Sequence, residues 1–222
     1  MSVFAVALAA CGASPAAALN LVVNGGFEAD PAPVGGYTVY AGGSSFTGWS
    51  VGGASLAVAD SGVHEGVQYY PSNSERNFVE ITGKSNTGST NAITQTVATV
   101  AGQTYALSFF VGNAGPYGTY GSNLTLPSTI RVSIDGGALQ SFTNADETPI
   151  VVNWRPFSLS FVAAGATTLT FQNGTANDGY AGLDDLSLEA TGTVAEPASW
   201  ALLIAGFGLT GAAQRRQRFA PA

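Results

Sequence analysis

Four groups of residues in this 222-residue chain could carry chemistry. The first is GFGLTG, which spells G-x-G-x-x-G at Gly206, Gly208 and Gly211. A phosphate-cradling loop of that spelling follows a strand, opens a helix and has an acid about 20 residues on. Here it lies inside an apolar run from Trp200 to Ala213, and the eleven residues after Gly211 contain no acid. A nucleotide cradle is therefore not expected. The second is His64, the only histidine, in SGVHEGVQYY. Any Ser–His–Asp triad would have to use it, and a lone loop histidine is expected to be solvated. The third is the set Asp60, Glu65, Glu75 and Glu80. A glycosidase needs two carboxylates set across a sugar ring. Nearness in sequence does not make a pair converge, and Glu80 is expected to face outward between Val79 and Ile81. The fourth is a set of tyrosines in polar loops, Tyr69, Tyr70, Tyr117, Tyr120 and Tyr180, accompanied by Asn73, Asn113, Asn123 and Asp178. Flat C–H faces of sugars stack on aromatic rings, and amides and carboxylates bind hydroxyls. These five tyrosines are the candidate ligand-binding residues. Trp49 and Trp154 sit beside strands and are expected to pack. No catalytic residue is assigned, and an enzyme is not expected.

The elements that must hold these residues are strands. Tyr105, Leu107, Phe109 and Val111 alternate with small and polar residues, as do Ile130, Val132 and Ile134. Phe157, Leu159 and Phe161, then Leu169 and Phe171, and Ile93, Gln95 and Val97 repeat the period of two. Shorter candidates are 21–23, 55–59, 78–82 and 183–189. Asp135-Gly136-Gly137 predicts a hairpin turn. No segment keeps a helical period over three turns. With 29 glycines and only 9% charged residues, the pattern predicts an all-β antiparallel sandwich or barrel. The irregular stretches 28–47, 63–76 and 112–127 would be its long loops, where binding concentrates.

Residues 19–190 contain four bases against thirteen acids, a net of −9. A nucleic-acid partner needs a basic face and is excluded. The only cysteine, Cys11, lies in MSVFAVALAACGASPAAA. That segment reads as an export signal with an A-x-A site at Ala16–Ala18. Leu8–Cys11 offers a lipoprotein-type cleavage box as the alternative. At the other end, EATGTVAEPAS leads into the apolar run, which spans about 21 Å as a helix, short of the roughly 30 Å hydrocarbon core. Arg215, Arg216 and Arg218 follow as a positive-inside flank. The expected organisation is a signal at 1–18, a sandwich at 19–190 and a linker at 191–199. A short transmembrane sorting helix at 200–213 and a basic cytoplasmic tail at 214–222 complete it.

Glu196-Pro197, Trp200, the apolar run holding Gly206 and Gly208, and Arg215, Arg216 and Arg218 occur in that order. The tail resembles the PEP-CTERM sorting signal, departing only where Ala195 stands in place of the first proline. That resemblance implies a Gram-negative-type bacterium, export to the inner membrane, processing by an exosortase-type membrane protease, and a link to exopolysaccharide. The final location would be the cell surface or extracellular matrix. The middle of the chain runs LNLVVNGGFEAD, TGWSV, NFVEITG, ITQTVATVAGQTYALSFFVGN and GLDDLSLEA. It resembles galactose-binding-like jelly rolls, the choice-of-anchor branch above all. The resemblance implies a jelly-roll β-sandwich over 19–190 and a structural calcium (Ca2+) joining the first and last strands at Glu28 and Asp184, with Asp185 as alternate. Asp184 shares parity with Leu186 and Leu188, so a regular strand would bury it, and a buried carboxylate needs a cation or N–H donors. The alternative is that these carboxylates cap turn amides or face water. Function then reads as an exported protein that binds carbohydrate or exopolysaccharide. A purely structural surface protein is the alternative, and a secreted glycan-active enzyme comes third.

Overall fold

The computed structural model describes residues 19–64, 68–83, 90–114, 127–146, 151–175 and 180–191, with the backbone alone at 62–64 and 68–70. All of them belong to one compact unit, Met1–Thr191. Expectations for the signal at 1–18, and for Glu196, Pro197, Trp200, Gly206, Gly208, Arg215, Arg216 and Arg218, fall outside the described residues.

The strands run in chain order β1 (Tyr37–Ala41), β2 (Ser45–Phe46), β3 (Trp49–Gly52), β4 (Ser55–Asp60) and β5 (Gly62–His64). Next come β6 (Gln68–Tyr70), β7 (Asn77–Glu80), β8 (Ala92–Val97), β9 (Thr104–Asn113) and β10 (Ser128–Ile134). The last are β11 (Gln140–Asn144), β12 (Asn153–Val162), β13 (Thr167–Asn173) and β14 (Gly182–Ala190). Sheet one has the order β1-β4-β7-β14-β9-β12, sheet two β11-β10-β13-β8-β3-β2, and β5 pairs with β6 in a small hairpin. Every pairing is antiparallel. The chain steps between sheets as a jelly-roll β-sandwich does. Among the described residues no helix is long and apolar enough to cross a membrane.

The period of two puts one face of each sheet inside. From sheet one come Leu56, Val58, Val79, Leu107, Phe109, Val111, Leu183 and Leu188; sheet two supplies Trp49, Val51, Ile93, Ile130, Val132, Leu169 and Phe171. Phe109 meets the edges of Phe142 and Phe171 at 5.1 and 5.4 Å, which joins the two sheets. A fully buried residue of this size stabilises by about 1.5–3 kcal/mol relative to leaving it exposed.

Three expectations fail for identifiable reasons. The stretches 28–47 and 63–76, expected as long loops, hold β1, β2, β6 and most of β5; β1 is an edge strand that leaves Tyr37 and Val39 exposed. Residues 21–23 are not a ladder strand. Leu21 N–H does donate to Leu188 O at 2.9 Å. Elsewhere side chains take the ladder's place: Asn20 Oδ1 accepts from Val22 and Leu188, and Gln95 Oε1 accepts from Val23. The parity argument for Asp184 also fails. A bulge lies between Asp184 and Ser187, and Asp185 takes φ +51°. The extra residue puts Asp184 on the face opposite Leu188. Asp184 is nevertheless fully buried, because chain 72–77 lies over it.

Candidate functional site

A second, smaller apolar cluster lies on the outer face of sheet one: Ala59, Phe78, Ala114, Val152 and Tyr180, with Trp154 packed against it. Its floor follows from register. Glu80 pairs with Gly182, Gly182 with Gly112 and Gly112 with Trp154, across four neighbouring strands. The indole lies over both glycines. A Cβ at Gly112 would sit 2.8 Å from Trp154 Cζ3, and one at Gly182 2.8 Å from its Cη2. Only a residue without a side chain leaves this space. The indole N–H donates to Pro71 O at 2.8 Å, and Phe78 meets the ring edge-on at 5.6 Å.

This cluster roots the tyrosine-bearing segments. Pro71 follows the hairpin that carries Tyr69 and Tyr70. Ala114 is the last described residue before the segment with Tyr117 and Tyr120. Tyr180 closes the segment after β13. Ser128 Oγ ties the stems together, donating to Asn113 Oδ1 at 2.7 Å and contacting Tyr180 O. Two of the three stretches that sequence reading singled out as loops, 63–76 and 112–127, therefore have stems at one place, beside Tyr180.

The candidate tyrosines fare differently. Tyr180 is corrected: it is 5% exposed and packs edge-on to Phe78 at 6.5 Å, so it offers no ring face to a ligand. Tyr69 and Tyr70 lie on β6, where the backbone alone is described. Tyr117 and Tyr120 fall outside the described residues, as does Glu65. Asn113 is fully buried and serves the stems. Trp49 packs in the core, with its indole N–H on Asn24 O. The acids near His64 do not form a carboxylate pair among the described residues. Asp60 holds Arg76 at 2.6 Å and the Gly35 amide, and Glu75 is exposed. Glu80 points outward from the core as expected but turns its carboxyl onto the Thr82 and Gly83 amides. Burial pushes that carboxyl up to about 8 against the pull of these donors.

Sequence reading missed four buried asparagines, Asn77, Asn91, Asn144 and Asn173, and set a fifth, Asn113, among the polar companions of the loop tyrosines. All five are at most 1% exposed, and each stands at a strand end or beside one. Their amides stand in for backbone: Asn91 accepts from Ala54 and donates to Thr82 O, and Asn144 donates to Val111 O and Asn153 O. The recurring pattern of Asn at a strand terminus was the available signal.

Glu28, Asp184 and Asp185 all serve the chain at 73–77. Glu28 Oε1 accepts from the Arg76 and Asn77 amides, and its Oε2 from Asn77 Nδ2. Asp184 Oδ2 accepts from the Asn73 and Ser74 amides, and Oδ1 from the Asp185 amide. Asp185 accepts from Asn73 Nδ2 and Ser74 Oγ, each at 2.6 Å. Burial first, then the Asp185 charge, pushes Asp184 up to about 8. The donor set does not fit calcium. Every one of these six carboxylate oxygens is turned to an N–H or O–H, whereas calcium needs hard oxygens converging on one point. The described residues hold no cluster of three metal-ligating side chains. Of the two sequence readings of these carboxylates, the geometry matches amide capping. The expected result of adding excess chelator to the purified protein is an unchanged melting temperature, read by calorimetry. A drop of several degrees, reversed by calcium, would restore the ion.

Two six-stranded antiparallel sheets around one core define a jelly-roll β-sandwich. The chain belongs to the family described as "Protein of unknown function (DUF642)", which matches residues 20–183. No curated protein matches the chain. Among solved structures it is similar to the Podospora anserina GH26-CBM35 β-(1,4)-mannanase, at 18% identity over 71% of this chain, with a TM-score of 0.38. It spans 28% of that mannanase. It is also similar to TmCBM61, solved in complex with β-1,4-galactotriose, at 18% identity over 78% of this chain and 99% of that one, TM-score 0.44. A third is the CBM22-1 xylan-binding domain from Paenibacillus barcinonensis Xyn10C, at 12% identity, 72% and 97% coverage, TM-score 0.40. At these identities and scores no ligand is carried across.

Proposed function

We propose that the chain is an exported, non-catalytic β-sandwich that binds carbohydrate at the cell surface or in an extracellular matrix. The observation that carries this reading is the common root of the loops. The Pro71, Ala114 and Tyr180 stems meet on the Phe78–Trp154 cluster, so the segments bearing Tyr69, Tyr70, Tyr117 and Tyr120 start from one rigid base. Rigid aromatics on loops over a fixed scaffold are how sandwich folds present flat contact area. The scarcity of basic residues leaves uncharged, hydroxyl-rich partners as the natural match. Export, passage through the inner membrane and exosortase processing belong to the same proposal and rest on the signal and tail motifs. A purely structural surface protein is the second reading, favoured by the burial of Tyr180 and the internal bond of the Trp154 N–H.

The test is calorimetric titration of the full-length protein with soluble polysaccharides, alongside a reducing-sugar assay. Saturable binding that Tyr117→Ala or Tyr69→Ala weakens on the order of tenfold, the effect of losing one stacked ring, is the expected result. Binding to none of the polymers would leave the structural reading, and release of reducing ends would make the protein an enzyme.

A further inference from the structure

Charge is divided between the two sheets. Every acid within a strand of the two large sheets lies on sheet one: Asp60, Glu80, Asp184, Asp185 and Glu189. The six strands of sheet two contain no acid and a single base, Arg131. In a region with a net charge of −9, that leaves one broad face with no carboxylate in its strands; the exposed Asp135, which accepts from the Thr168 amide at 2.6 Å, stands at its edge.

The outer side of sheet two is also chemically uniform. Ser45 pairs with Ser50, Ser50 with Thr94 and Thr94 with Thr170, so one row of hydroxyls crosses four neighbouring strands. Thr96 and Thr168 form the next row, with their hydroxyls 3.0 Å apart. On the other side runs Gly52, Ala92, Gln172, Arg131 and Ser141, small residues at one end and polar ones at the other. These outward residues alternate with Ile93, Gln95 and Val97 or Leu169 and Phe171, which face inward. Neighbouring rows are about 7 Å apart along a strand, and neighbouring strands about 4.8 Å apart.

We propose that this face is a second glycan-contact surface, which takes an extended, uncharged polyhydroxyl polymer. The ligand class rests on the carbohydrate reading above; the location does not depend on the loop tyrosines. The chemistry selects the occupant. A protein partner would want buried aromatic, Met or Arg anchors, and the face offers one half-buried guanidinium, which already donates to Asn173 O. An anionic polymer would need several cations. Hydroxyls, which both donate and accept, match the hydroxyls of a neutral glycan. Each exchange with water gains little on its own, and repetition along a polymer supplies avidity that a short sugar lacks.

The experiment is co-sedimentation of the full-length protein with insoluble cellulose, xylan and mannan, and with alginate beads as the anionic comparison. Thr170→Glu places a charge at the centre of the face. A Thr94→Val and Thr170→Val double variant keeps shape and strand preference while removing two hydroxyls. Trp154→Ala disturbs the loop end instead. Melting curves confirm that the sheet-two variants fold. The proposal holds if the wild type sediments with a neutral polymer and both sheet-two variants weaken on the order of tenfold. It is overturned if those variants bind as the wild type does. If Trp154→Ala alone then loses binding, the loop-end reading stands without this face. Sedimentation with alginate alone overturns the neutral ligand, and sedimentation with nothing overturns both readings together.

Discussion

Asp184→Ala is expected to loosen the chain at 72–77 and to lower stability by about 2–4 kcal/mol near pH 5, since each buried N–H left without an acceptor costs about 1–3 kcal/mol. The Asn73, Ser74 and Asp185 amides all lose their acceptor. At this chain length the loss corresponds to a fall of roughly 5–15 °C in melting temperature. The penalty depends on pH. Burial holds the Asp184 and Glu80 carboxyls up at about 8, against 3.8 and 4.5 as ordinary values. The unfolded chain releases these protons in the acid range while the folded chain keeps them. Their contribution is therefore full below about pH 4 and is lost as pH rises toward 8. The wild-type melting temperature should fall from pH 5 to pH 8, and the deficit of Asp184→Ala should shrink over the same interval. Melting curves at constant ionic strength across that range test both statements. A wild-type stability that rises with pH would mean the N–H donors, not burial, set these two carboxyls.

Much of the sandwich was legible because a half-buried strand writes its inner face at every second residue. Tyr105 to Val111, Ile130 to Ile134 and Leu169 to Phe171 all face the core as the alternation requires. β1 and β11 went unread because edge strands bury little: the Tyr37, Val39 and Ala41 face of YTVYA is exposed, and QSFTN carries no apolar alternation. The site was less legible. A bulge leaves no mark in the identities of its residues, so the parity of Asp184 was counted across a break at Asp185. Tyr180 stands in a polar neighbourhood of sequence, yet Phe78 and Trp154 arrive from distant strands to cover it. The choice between calcium and amide donors turned on the chain at 73–77. Its amides reach Asp184 only once β7 and β14 pair within sheet one, and Glu28 only once the segment before β1 comes up to the start of β7. Local pattern carries the elements here, and long-range closure carries the site.

Gly112→Val is expected to displace the Trp154 ring. The new Cβ would lie 2.8–2.9 Å from two ring carbons, and the ring cannot sink, since Gly182 and the sheet lie beneath it. Moving outward, it gives up the bond to Pro71 O and the edge contact with Phe78. Overpacking of this kind costs about 1–3 kcal/mol, and the lost indole bond adds about 1 kcal/mol. The sign should reverse when the ring is absent. In a Trp154→Ala background, valine at 112 has room, and a β-branched residue inside a strand is favoured over glycine by about 0.5–1 kcal/mol. A double-mutant cycle should therefore give a coupling of about 2 kcal/mol or more between two positions that are direct cross-strand partners. The same displacement removes the anchor that holds Pro71, the stem of the Tyr69–Tyr70 hairpin. Glycan affinity should fall in Gly112→Val even though no residue of the loops has changed. Additive melting temperatures would mean that the indole is not seated over the two glycines. Unchanged affinity with strong coupling would separate the platform from ligand binding and leave Trp154 a packing residue.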